Sequence, residues 1–124
     1  MNNDFEILDQ RKKGVPSYET RFPNDALIAV NKTMFTIFSK AVDKLEITDK
    51  CKILIARRGG NFYIAKLDEI STRRGYLVSK RKKQNSFYCC ADSFTRHNVF
   101  NVVFRVKDSE YIEELDWYEL EQIN

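Results

Sequence analysis

Apolar and polar residues alternate along much of the stretch from residue 26 to residue 106, with interruptions that divide it into short elements. Two β-rich runs fall at 26–31 and 34–38. Ser39 can then cap a brief helix over 40–45, whose buried side is Ala41, Val42 and Leu45. Residues 52–57 and 62–67 read as strands on either side of Arg58-Gly59-Gly60-Asn61, where the glycines permit the positive φ of a tight turn, so the pair is expected to form a hairpin. Further strands are expected at 75–79, 86–91 and 99–106.

Both ends of the chain depart from this pattern. Residues 1–25, with Arg11-Lys12-Lys13-Gly14, Pro16 and Pro23, lack sustained alternation and read as an extended arm that docks through Phe5, Ile7, Leu8, Tyr18 and Phe22. In residues 109–123 the apolar positions Ile112, Leu115, Trp117 or Tyr118, and Ile123 fit helical spacing, and Asp108, Glu110, Glu113 and Glu114 sit where a helix dipole favours anions. The spacing predicts an acidic amphipathic helix there. The fold expected is therefore α+β and mostly antiparallel β, as a small barrel or a swapped-hairpin arrangement, with one short internal helix and a C-terminal amphipathic helix. All 124 residues are read as a single domain.

Composition narrows the class. With 43% hydrophobic and 31% charged residues the chain has enough apolar material for one core, and it contains no apolar run near the roughly 20 residues that cross a bilayer. The first residues lack the basic start and apolar stretch of a signal peptide, so a cytoplasmic protein is expected, or a virion component if the chain belongs to a phage particle. Three cysteines, two of them the neighbours Cys89 and Cys90, agree with a reducing compartment. Adjacent cysteines project to opposite faces of a strand and only one histidine, His97, is present, so neither a metal site nor a Cys/His nucleophile is expected. Glycine-rich phosphate loops, a nucleophile elbow and an H-E-x-x-H pair are all missing, and no enzyme activity, cofactor, small-molecule substrate or membrane association is predicted.

Charge is unevenly distributed along the chain. The net charge is +3, but residues 40–83 hold thirteen basic and five acidic side chains, whereas residues 108–124 hold seven acidic and no basic ones. Within the basic stretch Arg57, Arg58, Arg73, Arg74, Lys80, Arg81, Lys82 and Lys83 form three clusters, each at or beside an expected turn. Turn-borne cations of this kind can meet a phosphate backbone, and Phe62, Tyr63, Tyr76, Phe87 and Tyr88 lie near enough in sequence to offer stacking faces to bases. The same pattern also describes soluble loops over an aromatic core.

Residues 28–55, from Ile28-Ala-Val-Asn-Lys-Thr-Met-Phe through Phe38-Ser-Lys-Ala-Val-Asp-Lys-Leu-Glu-Ile47 to Ile55, run strand, turn, strand, one-turn helix, Leu-x-Ile, turn, strand. Through residue 67 this resembles the swapped-hairpin module of AbrB-type transcription regulators. The resemblance implies a small barrel built from interlaced hairpins of two chains, with basic residues on one face contacting DNA. The chain departs from the family pattern at Phe38, where proline is usual, at Glu46, where the family has glycine, and at Lys50-Cys51, where it has Gly-Asp. The family's DNA-facing strands correspond to the region around Lys32, which carries little charge of its own along the sequence. The expected function is a non-enzymatic binding module, homo-oligomeric, taking nucleic acid through its basic turns. The alternative is an assembly protein, for example an accessory part of a phage particle, using the arm and the C-terminal segment for subunit contacts.

Overall fold

The computed structural model of the chain describes residues 21–49, 51–68, 71–82 and 84–124. Its elements are β1 (Leu27–Val30), β2 (Met34–Ile37), α1 (Ser39–Leu45), β3 (Lys52–Arg58), β4 (Asn61–Leu67), β5 (Tyr76–Leu77), β6 (Ser79–Lys80), β7 (Phe87–Cys90), α2 (Asp92–Thr95), β8 (Val102–Ile112) and β9 (Leu115–Gln122). Most of the expected arm lies outside the described residues, as does Lys83.

The nine strands form one antiparallel sheet in the order β5-β3-β4-β9-β8-β1-β2-β7-β6. The strands at its two edges, β5 and β6, are separated in sequence by Val78 alone. Tyr76 and Leu77 pair with Ile53 and Lys52, and Ser79 and Lys80 pair with Tyr88 and Phe87. At the crossing point the Val78 N–H reaches the Cys51 carbonyl at 3.5 Å and the Cys89 thiol reaches the Leu77 carbonyl at 3.7 Å. One short segment thus joins both edges, and the sheet becomes a nearly closed barrel. Glycine is required just before this seam: a Cβ on Gly75 would lie 2.8 Å from the Ile53 carbonyl oxygen and 2.9 Å from the Lys52 Cβ.

Each opening of the barrel is stopped by a short helix. At one end α1 inserts Ala41, Val42 and Leu45, the buried side expected from their spacing. Phe38, rather than Ser39, occupies the N-cap position, and the helix ends on Glu46 in the left-handed conformation (φ 56°, ψ 47°), with the Glu46 and Ile47 N–H groups closing on Asp43 and Val42 carbonyls. At the other end α2 inserts Phe94, whose ring stands 5.4 Å from Phe35, 5.1 Å from Phe62 and 5.6 Å from Phe104, centroid to centroid. The interior between the plugs is filled by alternate residues of the strands, among them Ile28, Ile37, Ile53, Ile64 and Val106.

The expected C-terminal helix is instead a long hairpin. β8 and β9 are joined by Glu113 and Glu114, with φ of 50° and 71°, and their register runs from Ile112↔Leu115 to Phe104↔Gln122 with a bulge between Val106 and Ser109. The spacing of Leu115, Tyr118 and Ile123 fits a helix, but it also admits an alternation in which Tyr118 and Leu120 point into the barrel. The alternation prevails because β4 and β1 both present unpaired edges: Phe62 pairs with Leu120 and Leu27 with Arg105, so β9 and β8 fill the gap between them. Two glutamates at left-handed positions give none of the Asn-Gly or Asp-Gly signal that marks such a turn in sequence.

Candidate nucleic-acid interface

Of the eight cations expected at the turns, the seven among the described residues do not form one face. Antiparallel pairing places the β3–β4 turn, with Arg57 and Arg58, at the α2 end of the barrel, and Lys80, Arg81 and Lys82 at the α1 end. Arg73 and Arg74 precede β5, and the Arg73 guanidinium reaches the Glu113 carbonyl at 3.4 Å. Lys80 donates to the Gln84 carbonyl at 2.7 Å. Half-buried Arg81 donates to the Thr36 hydroxyl at 2.8 Å while lying 5.2 Å from the centre of the Tyr88 ring. Arg74 and Lys82 are exposed, with no ion pair among the described residues.

The two arginines of the β3–β4 turn have different surroundings. Arg58 stands 5.0 Å over the Tyr63 ring, donates to the Tyr63 hydroxyl at 3.2 Å and pairs with Glu110 at 3.3 Å. The hydrogen bond to Tyr63 and then that to Glu110 raise its pKa above the ordinary arginine value. It edges a cavity of about 220 Å³ whose walls are Ala56, Tyr63, Ile112, Glu113 and Trp117, where the far part of the β8–β9 hairpin meets the outer face of β3 and β4. Arg57 instead turns towards α2, donating to Nδ1 of His97 at 2.7 Å and to the Gly59 carbonyl at 3.3 Å. An arginine can only donate, so in this contact the His97 Nδ1 is the acceptor.

That contact belongs to a wider convergence. The β1–β2 turn is anchored by the Asn31 side chain, which accepts from the Thr33 and Met34 N–H groups at 2.9 and 2.8 Å. It is tied to α2 by the Thr95 hydroxyl, 2.9 Å from the Lys32 carbonyl, and by the Ala91 N–H, 3.0 Å from the Thr33 carbonyl. Phe62, at the start of β4, sits 6.2 Å from the His97 ring. Three loops therefore meet around α2 and bring together Lys32, Arg57, Arg96 and His97, all exposed. Lys32 lies 5.6 Å from the Phe100 ring centre, and Asp92 is the one carboxylate among residues 31–33, 57–61 and 91–101. The Tyr76 hydroxyl contacts it at 3.3 Å. None of the three cations has an ion-pair partner among the described residues.

Of this rim only Arg57 was a candidate from sequence. Lys32 and Arg96 stand alone in their local sequence, and His97 reads as an isolated surface residue; the pairing of β2 with β7 and the contacts Thr95–Lys32, Arg57–His97 and Phe62–Phe94 gather them. The arrangement offers separated guanidinium and ammonium groups on a half-rigid loop platform, suited to several phosphate oxygens at once. On the barrel's flank Arg105 is held between Asp25 at 3.1 Å and Glu121 at 2.8 Å, chiefly the Asp25 hydrogen bond raising its pKa, and its Nε is buried without a partner among the described residues.

Cys51 and Cys89 are buried and Cys90 exposed. Burial pushes the Cys89 thiol up to about 12, so it is protonated at neutral pH and a poor nucleophile there. No group of three or more His, Cys, Asp or Glu side chains suited to a metal ion occurs among the described residues, and no helix among them is long and apolar enough to cross a membrane. Comparison of the chain with family models, curated proteins and solved structures finds no match in any of the three.

Proposed function

We propose that this chain is a non-enzymatic binding module that takes nucleic acid on the loop rim at the α2 end, with Lys32, Arg57 and Arg96 contacting phosphates. The observation that carries the reading is the meeting of these three cations from three loops, without ion-pair partners among the described residues. Phe100, whose ring centre lies 5.6 Å from the Lys32 ammonium, offers an aromatic surface to a splayed base. The resemblance of residues 28–67 to the AbrB-type module supports the same face: the region around Lys32 is the one that the resemblance makes DNA-facing, and Arg57 and Arg96 supply the charge its own sequence lacks.

The test is a salt series of filter-binding measurements with double-stranded DNA, single-stranded DNA and RNA. For duplex DNA, the triple variant Lys32→Ala, Arg57→Ala, Arg96→Ala should bind more weakly, and the slope of log K against log salt should fall by about 2 to 3, close to 0.9 for each phosphate contact removed. Lys80→Ala with Lys82→Ala, at the opposite end, serves as a control of equal charge type and should leave the slope nearly unchanged. Equal retention by the wild-type and rim variants would defeat the reading. Light scattering with and without nucleic acid separates it from the alternative, a subunit of a larger assembly, which requires species beyond a dimer in the absence of any nucleic acid.

A further inference from the structure

On one side β8 is covered by β1 only as far as Arg105, opposite Leu27, and Val106, whose N–H donates to the Ala26 carbonyl at 2.8 Å. The bulge follows, and then Ser109, Glu110, Tyr111 and Ile112 pair with Tyr118, Trp117, Asp116 and Leu115 of β9. Among the described residues nothing pairs with the other side of this run, which leaves alternate N–H and C=O groups facing outward. Residues 107–111 are all exposed, and Tyr111, at 71% exposure, is the most open large apolar side chain among the described residues. The edge is also strongly charged. Asp108, Glu110, Glu113, Glu114 and Asp116 lie on this part of the hairpin, against Lys107, which sits 4.0 Å from Glu121.

We propose that residues 107–112 of β8 form a strand-addition site for a cationic extended segment of a partner protein. Main-chain hydrogen bonds to the open edge supply the register-fixed affinity, and pleating sends alternate partner side chains to the two faces. On one face a basic side chain meets the carboxylate of Asp108, beside Glu110, which Arg58 already holds at 3.3 Å. On the other an apolar or aliphatic stem lies over the Tyr111 ring, which also attracts a cation. A second copy of this chain is the poorer occupant, because pairing two such edges sets five carboxylates of one hairpin beside five of another, and like charges across a strand pair repel. The edge meets the β3–β4 turn at the Glu110–Arg58 ion pair, one residue from Arg57 of the rim.

The probe is a synthetic eight-residue peptide alternating lysine with threonine and valine, tested on the full chain by fluorescence anisotropy and by amide hydrogen exchange. Binding should strengthen at low salt and slow exchange within residues 107–112. The same peptide with glutamate in place of lysine should not bind. N-methylation of its alternate amides, which removes the ladder while keeping the charge, should weaken binding by about tenfold or more. Asp108→Lys with Glu110→Lys, both at exposed positions, should do the same, and Tyr111→Ser should weaken it less. Binding insensitive to N-methylation would reduce the contact to diffuse charge attraction and overturn the site. So would absence of binding, or slow exchange at 107–112 in the free protein that is lost on dilution, which would assign the edge to a second copy.

Discussion

The two ends of the barrel are closed by the same device and carry cations of the same kinds, yet they differ in what those cations are free to do. At the α1 end the plug is aliphatic and three cations are held by neutral acceptors, Lys44 donating to the Val106 carbonyl at 3.0 Å, Lys80 to the Gln84 carbonyl and Arg81 to Thr36, while Lys82 is exposed with no ion pair among the described residues. At the α2 end the plug is a single phenylalanine in an aromatic cluster, the loops around it are tied by backbone and hydroxyl contacts, and Lys32, Arg57 and Arg96 extend from them without carboxylate partners among the described residues. Density of lysine and arginine along the chain is highest at Lys80 to Lys83, yet Lys80 and Arg81 are already bonded to neighbouring groups. Backbone carbonyls left over at turns compete for the same side chains.

Removing the plugs should break the comparison most severely. Phe94→Ala empties the aromatic cluster and should cost about 3–5 kcal/mol, whereas Leu45→Ala at the other end falls in a range of about 2–5 kcal/mol. Urea denaturation of both variants should show the larger loss for Phe94, and for Phe94 alone the surviving folded protein should lose nucleic-acid affinity as the rim loosens. A Leu45 variant that weakens binding equally would mean that the two ends are not independent.

A smaller effect separates the seam from both ends. Since the Cys89 thiol has its folded-state pKa raised from 9.0 to about 12, its neutral form favours the folded state. Stability should be indifferent to this group below pH 9 and decline as pH rises from 9 towards 12, where the unfolded chain ionises and the folded one does not. Cys89→Ala should flatten that decline in alkaline melting curves; an unchanged pH dependence would assign it to other groups.

The smallest effect is a gain. Glu46 adopts a left-handed conformation that costs a non-glycine residue about 1–2 kcal/mol, and glycine there would relieve it while adding about 0.4–1 kcal/mol of unfolded-state entropy. Glu46→Gly should thus stabilise the protein by about 0.5–1 kcal/mol, read from the urea midpoint, with rim binding unaltered. A destabilised variant would show that the glutamate side chain contributes a contact worth more than the strain.

Sequence reading succeeded where structure is local. The β1–β2 run, α1 with Ala41, Val42 and Leu45 inward, and the hairpin turning at Gly59 (φ 63°) each depend on residues within a few positions of one another, and their bounds fall within a residue or two of expectation. It failed where partners are distant. The expected strand at 75–79 is two short strands that serve opposite edges, a division set by Ile53 and Tyr88 rather than by its own composition. Phe94 gave no sign of being a plug, since α2 is four residues long and its hydrophobic contacts come from β2, β4 and β8. The same holds for the candidate site. Arg57 was visible because it sits at a legible turn, whereas Lys32 and Arg96 acquire meaning only from neighbours about 25 to 65 positions away, through the sheet.

The strand order also dictates when the molecule can be completed. β1–β2 and β3–β4 are the first two hairpins to leave the ribosome, but they do not touch along the sheet: β9 and β8, the last of the nine strands to be made, lie between them. Until that final hairpin arrives, each early hairpin has an exposed edge and half a hydrophobic interior, and adding the seam segment cannot close a ring with a missing sector. Nascent chains halted before residue 102 should therefore remain open and chaperone-dependent, and the loops around Lys32, Arg57 and Arg96 would come into register only after residues 102–122 had been added. On the proposed reading, such timing would delay assembly of the phosphate-binding rim until β8 and β9 are in place.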